Sequence, residues 1–451
     1  MLLKLKKNSF FSSVVALTSG TVIAQIVAII ISPIITRLYT PADMGILASL
    51  LAITGILGII ATGTYDRVIV LSENETDLKA AVFLSGSISI FIGIIITVVL
   101  FFFNEPMIVT FGFQEISKIW VYGIGLIVTL IGFDTILNRL VVRRRQFKVL
   151  ATTSVIQQLG ASGTKVGAGL LGLGANGLLI ATVFAYLIRG ISMLFAQRNF
   201  FFEKKNISCF NKMKQIALRY KGFAFFSSWS LLLNSASMQL PVIMFASFFS
   251  VCIAGYYALS HKMLSLPILI IGQNVGQVFL EHTSRVRDNL EELKRITLEI
   301  YRKLLLISSI IMPFAIFYSD ILFPFVFGSE WLTAGQYAQW ISIWLTFQFI
   351  ASPLTAIYLV LEKQREFLVW TIAMFVLRLT VIYLAFIQGF SDIKMMAWLS
   401  IAGALLYLLL NARILYIVQV SLGQIFKPLF VILLPIMTLQ YILSILVKMF
   451  I

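Results

Sequence analysis

The sequence predicts an all-α, polytopic membrane protein, with two six-helix lobes around a central cavity and a further apolar segment at the C-terminus. Three observations predict it. Of the residues, 59% are hydrophobic and only 12% charged, whereas soluble domains are about half apolar with about a quarter charged. The apolar residues gather in runs of about 20 or more, the length that crosses a hydrocarbon core of ~30 Å at ~1.5 Å per residue. The Lys and Arg residues concentrate in alternate gaps between those runs.

The first run, Phe11–Leu38, follows MLLKLKKNSFF. It continues well past the short core of a signal peptide and no small-residue cleavage site ends it, so it reads as a retained span. Gly45–Leu71, Ala80–Phe103, Ile116–Leu137, Val149–Leu173 and Gly177–Ala196 complete the expected first lobe, residues 1–205. A polar stretch then serves as linker. Gly222–Phe249, Val251–Leu280, Leu304–Phe327, Thr333–Leu361, Phe367–Gln388 and Met395–Gln419 form the expected second lobe, residues 206–421. The additional segment, 422–451, contains Pro428–Phe450, which either spans or re-enters. The two lobes look related: Gly45-Ile-Leu-Ala48 and Gly255-Tyr-Tyr-Ala258 recur at the first turn of each set. Internal repeats are a common build of transporters.

With the N-terminus inside, the cytoplasmic gaps hold Lys4, Lys6 and Lys7, then Arg67 and Lys79, then a cluster from Arg139 to Lys148. Later inside gaps run from Arg198 to Lys221 and from Arg285 to Lys303, with Lys363 and Arg365 after them. The outside gaps hold only Arg37, Lys118 and Lys394. This asymmetry orients the chain with a cytoplasmic N-terminus. The same asymmetry accounts for the net charge of +16 without a nucleic-acid partner. The segment EHTSRVRDNLEELKRITLEIYRK reads as a polar helix extending the next span, with Glu291–Arg295 and Glu299–Lys303 four residues apart.

Metal and cofactor chemistry find no carrier in the sequence. Cys209 and Cys252 fall on opposite sides of this map, and His261 and His282 are too few for a metal site. No Gly-rich phosphate loop, clustered acidic motif or nucleophile–base pair is present, so no enzyme activity and no cofactor is expected.

Charges at membrane depth cost about 2.5–3.5 kcal/mol each on insertion scales, so each needs a reason. Four cations qualify: Lys165, Arg189, Lys262 (roughly 15 Å along its helix) and Arg378. The fifth and eleventh helices hold equivalent places, so Lys165 and Arg378 are expected to line one cavity. Asp134 is the one acid at depth, a pairing partner for Arg189 and the candidate for proton or sodium coupling. Such a cation excess suits an anionic substrate, for instance a phosphate-bearing lipid headgroup. Each cation otherwise snorkels to an interface or bonds a backbone carbonyl. Asn234, Gln239, Gln273 and Asn274 are candidate sugar contacts, or equally interhelical polar contacts.

The opening SGTVIAQIVAIIISPIITRLYTPADMGILASL, the stretch ATGTYDRVIVLSENETD and the second-set entry AGYYALSHKMLSLPILIIGQNVGQVFLEHTSR carry a family likeness. They resemble bacterial polysaccharide flippases of the multidrug/oligosaccharidyl-lipid/polysaccharide exporter superfamily. The resemblance implies a two-lobed fold that flips undecaprenyl-pyrophosphate-linked oligosaccharide units from the cytoplasmic to the periplasmic leaflet of the inner membrane. Such units feed O-antigen, lipopolysaccharide or capsule. It also implies a cation-lined cavity, with Lys262 at a position where relatives often carry a cation. The expected partners are lipid-linked oligosaccharide, membrane lipid, a polysaccharide polymerase and a chain-length regulator. Rival readings are a lipid II flippase, a drug/cation antiporter of the same superfamily, and a membrane glycan polymerase. Excess deep cations argue against the antiporter, and short outside loops against the polymerase.

Overall fold

The computed structural model describes residues 2–72, 74–111, 113–114, 116–202 and 209–450. Within its helices the side chains of 2–19, 109–110, 202, 209–210, 223–227, 230, 273 and 449–450 lie outside the description. Among the described residues every regular element is helical, and twelve segments are long and apolar enough to cross a membrane. The protein is an integral membrane protein. The chain forms two compact units, Met1–Ala254 and Gly255–Ile451.

The first unit contains α1 (Leu2–Leu38), α2 (Pro41–Gly58), α3 (Asp66–Leu71), α4 (Glu75–Phe102), α5 (Asn104–Phe111), α6 (Ile119–Arg143), α7 (Phe147–Leu170), α8 (Gly174–Ala196), α9 (Arg198–Phe202) and α10 (Cys209–Phe248). The elbow between α1 and α2 is written locally. Pro41 opens α2, and the Thr40 hydroxyl accepts the Asp43 N–H while Asp43 accepts the Thr40 N–H at 3.0 Å. The buried Tyr39 hydroxyl then donates to the Lys165 carbonyl at 2.6 Å, fastening the elbow to α7. α4 and α6 cross closely at facing glycines. A Cβ on Gly93 would lie 1.9 Å from Thr129 Oγ1, and one on Gly125 would lie 2.4 Å from the Gly93 carbonyl oxygen. Small residues allow this approach where lipid gives helices no hydrophobic drive to associate.

The expected second span, Gly45–Leu71, is not one helix. It breaks after Gly58, turns through Gly63 (φ +57°) and Thr64 (φ +60°), and resumes as α3. The turn serves Asp66, which is buried, accepts from the Thr62 hydroxyl at 2.7 Å and from Arg139 Nε at 3.1 Å. α7 differs from its neighbours in falling outside the twelve apolar segments, since Gln157, Gln158, Thr164 and Lys165 lower its hydropathy.

The second unit contains most of α11 (Val251–Pro267), then α12 (Gln273–Arg285), α13 (Leu290–Phe327), α14 (Leu332–Leu354), α15 (Ala356–Val360), α16 (Gln364–Ile387), α17 (Asp392–Ile417), α18 (Leu422–Pro428) and α19 (Leu434–Phe450). After Pro267 the ladder widens into a π segment, Ile268–Gly272, before α12 continues the same span. The expected polar helix is broken: Glu281–Arg285 ends α12, a turn covers 286–289, and the rest forms the first turns of α13, capped by Asn289, whose side chain accepts the Glu292 N–H at 3.1 Å. Arg295 pairs with Glu292 rather than Glu291, and Lys303 with Glu299.

α18, a second π segment (Leu429–Leu433) and α19 continue one another. They run parallel to the apolar half of α13. The Tyr301 hydroxyl donates to the Ile425 carbonyl at 3.0 Å, Gln440 Nε2 donates to Ile310 O at 3.1 Å, and Lys448 meets Asp320 at 2.6 Å. From Lys427 to Lys448 the rise is roughly 32 Å at about 1.5 Å per residue, a full hydrocarbon thickness.

Candidate functional site

In the first unit, Asp134 on α6 and Arg189 on α8 face each other. Arg189 Nη1 donates to Asp134 Oδ2 at 2.9 Å, with side-chain exposures of 14% and 15%. Asp134 Oδ1 and Arg189 Nε are both buried and have no hydrogen-bond partner among the described residues. The pair therefore neutralises one deep cation.

Lys165 sits half-buried on α7. On either side along its helix, Gly163 and Gly167 present open space, with no atom within 4 Å of where a Cβ would stand. Gln158 is turned inward along α7, donating to the Ser162 hydroxyl at 3.0 Å. On α10, Asn234 is exposed, whereas Ser235 donates to the Gly55 carbonyl at 3.2 Å. A Cβ on Gly55 would lie 3.0 Å from the Gln239 amide nitrogen, so α2 makes room for that side chain by having a glycine there.

In the second unit, α11 presents His261 and Lys262 in succession. His261 stacks on Tyr257 with ring centroids 5.5 Å apart and meets Trp344 of α14 edge-on at 6.2 Å. Trp344 is 1% exposed, and Arg378 of α16 lies over its ring at 5.3 Å. Arg378 is 7% exposed and its Nη2 donates to the Tyr407 hydroxyl at 3.4 Å. The charge is thus held by aromatic faces and a phenol, a cation–π arrangement whose strength grows with desolvation. Gly403 on α17 leaves space for this indole, since a Cβ there would lie 2.7 Å from Trp344 Cε3.

Lys262 differs from Arg378. It is exposed, and no side-chain hydrogen bond or ion pair holds its ammonium among the described residues. Asn274 is exposed as well and bonds back to Ile270 O at 2.5 Å within the π segment. The Gln273 side chain lies outside the described residues. Sequence reasoning missed the aromatic set around Arg378, because Tyr257, Trp344 and Tyr407 lie on three different helices, where each looks like ordinary core. It also missed Phe200, 2% exposed, over which Arg144 lies at 4.8 Å and Lys79 at 5.6 Å.

Residues 34–336 match the polysaccharide biosynthesis protein family. The succinoglycan biosynthesis transport protein ExoT of Rhizobium meliloti (strain 1021) is 25% identical over 240 residues, 53% of this chain and 46% of that protein. The chain thus aligns with about half the length of this curated relative. Among solved structures, the lipid II flippase MurJ in an inward closed conformation superposes with a TM-score of 0.65 at 15% identity, over 96% of this chain and 98% of that one. An inward-facing multidrug resistance MATE family transporter of the MOP superfamily gives 0.59 at 13%, over 89% and 93%. A MOP superfamily transporter from Pyrococcus furiosus gives 0.53 at 13%, over 91% and 96%. These likenesses are of fold.

Proposed function

Because the chain belongs to the polysaccharide biosynthesis protein family, we propose that it flips undecaprenyl-pyrophosphate-linked oligosaccharide repeat units across the bacterial inner membrane. The direction is from cytoplasmic to periplasmic leaflet, the mode is alternating access, and the N-terminus is cytoplasmic. A polysaccharide polymerase and a chain-length regulator are the partners that would consume the product.

Lys262 carries this reading. An ammonium well inside an apolar helix, exposed and without a side-chain partner among the described residues, requires water or an anion beside it. A pyrophosphate supplies that anion. Lys165, half-buried on α7, is proposed as a further cationic contact. Arg378, fixed against Trp344 and Tyr407, contributes positive potential rather than a mobile contact. Arg189 balances Asp134, and exchange of that carboxylate between Arg189 and a proton or sodium ion is the proposed coupling step. Asn234, Gln239, Gln273 and Asn274 are proposed for the sugars. The drug/cation antiporter alternative is disfavoured by the excess of deep cations, Lys165, Arg189, Lys262 and Arg378, over the one deep acid, Asp134.

Lys262→Ala is expected to abolish surface polysaccharide and accumulate lipid-linked repeat units at normal protein levels, while Lys262→Arg retains part of the export. Wild-type surface polysaccharide from Lys262→Ala would overturn the cationic-site reading.

A further inference from the structure

Where the polar half of α13 gives way to its apolar half, α13 and α18 enclose a groove of about 370 Å³. Arg302 and Lys427 stand on its rim, and Pro428, Val431 and Ile432 form its wall. No acid lines it, and neither cation is in an ion pair among the described residues. The register is fixed beside them by the buried Tyr301–Ile425 hydrogen bond of 3.0 Å.

The sequence sets the depth of this rim. Arg302 is followed within two residues by the apolar run from Leu304, and Lys427 is followed at once by the apolar run from Pro428. Both cations therefore stand at the boundary between water and hydrocarbon, and the groove wall stands just inside it. α19 buries only Ser444 among its described side chains, so the seam it makes with α13 opens to the bilayer. Two like charges around one apolar groove need an anion that also brings hydrocarbon.

We propose that this groove holds an anionic phospholipid of the surrounding bilayer, with Arg302 and Lys427 on its headgroup phosphate and an acyl chain along Pro428, Val431 and Ile432. The lipid fastens the C-terminal helix to α13 at this end, as the Lys448–Asp320 pair fastens it at the other. The site is independent of the transported substrate.

The full chain, purified in a delipidating detergent, is titrated with phosphatidylglycerol or phosphatidylcholine and followed by native mass spectrometry. Wild type is expected to retain one more phosphatidylglycerol than R302Q/K427Q, and R302K/K427R to keep it. At about 1 kcal/mol for each cation near an anionic surface, the loss is roughly thirtyfold in affinity. Phosphatidylcholine is expected to bind wild type and variant alike. Lys427→Gln alone, expected to weaken the site about fivefold on the same basis, replaces the double variant if that fails to fold. Equal phosphatidylglycerol counts in wild type and variant, or equal retention of the two lipids by wild type, overturns the proposal. So does displacement by millimolar inorganic phosphate, which would assign the rim to a soluble anion.

Discussion

Removing one side of the Asp134–Arg189 pair separates a structural role from a coupling role. The two groups lie 2.9 Å apart with side chains 15% and 14% exposed, so neither has bulk water to turn to. Asp134→Asn leaves a buried guanidinium whose Nε already has no partner among the described residues. Breaking a buried pair from one side costs about 3–5 kcal/mol, because the surviving charge is left uncompensated. Arg189→Gln leaves the carboxylate in the same position, with a similar cost. In D134N/R189Q both charges are gone, and the double variant is expected to recover most of the stability. The assay is a double-mutant cycle on unfolding free energy in mixed micelles, run alongside surface polysaccharide export. A coupling energy of several kcal/mol with export still absent in the folded double variant supports ion exchange at Asp134. Single variants that each unfold within about 0.5 kcal/mol of wild type would refute the reasoning, since a desolvated pair at this distance cannot be that weak.

Other perturbations test other parts of the frame. Gly125→Ala is expected to lower folded yield and to cost about 1–3 kcal/mol or more, because its Cβ would press on the Gly93 carbonyl at 2.4 Å and backbone retreats only if α4 and α6 part. Thr97→Ala should not rescue it, and thermal unfolding of the purified protein reads both. Gly403→Ala must displace Trp344, with Cε3 only 2.7 Å from the new methyl, and is expected to cost about 1–3 kcal/mol and alter tryptophan fluorescence. Arg378→Met should remain folded but lose export, whereas Arg378→Lys keeps part of it; full export from folded Arg378→Met would reduce Arg378 to a packing role. An alkaline phosphatase fusion after Ile451 is expected to be active and one after Val420 inactive, because Lys427 to Lys448 crosses beside α13 in the same direction.

The apolar runs and the alternating cations made the helical membrane fold legible. They work because lipid demands length and polarity of every span, and both are local properties. The break after Gly58 escaped the same reading. The runs that flank it, 53–60 and 68–71, are apolar, and the Asp66–Arg139 bond formed beyond the turn joins residues far apart in the chain. Periodicity carries no record of such a partner. The carboxylate beside Arg189 was legible, because Asp134 is the one acid at depth, whereas the indole and phenol around Arg378 come from other helices and show only in the packing. The polarity of α7 was visible in Gln157, Gln158 and Lys165, although nothing in their spacing says that Tyr39 anchors their helix.

A charge inside a membrane persists only with compensation, and the kind of compensation fixes what the charge is free to do. Arg189 meets a buried carboxylate, and Arg378 the Trp344 face and the Tyr407 hydroxyl. Both are guanidinium groups, whose planar fork suits fixed, directional partners. Lys262 is an ammonium on a flexible four-carbon stem and keeps no such partner among the described residues. A point charge on a mobile stem follows a phosphate through changing geometry and releases it without breaking a stacked or forked arrangement. A carrier has to let go of its substrate as readily as it takes hold. On the proposed reading, this chemistry fits Arg189 and Arg378 as fixed charges that shape the potential and Lys262 as the contact that takes and releases the phosphate.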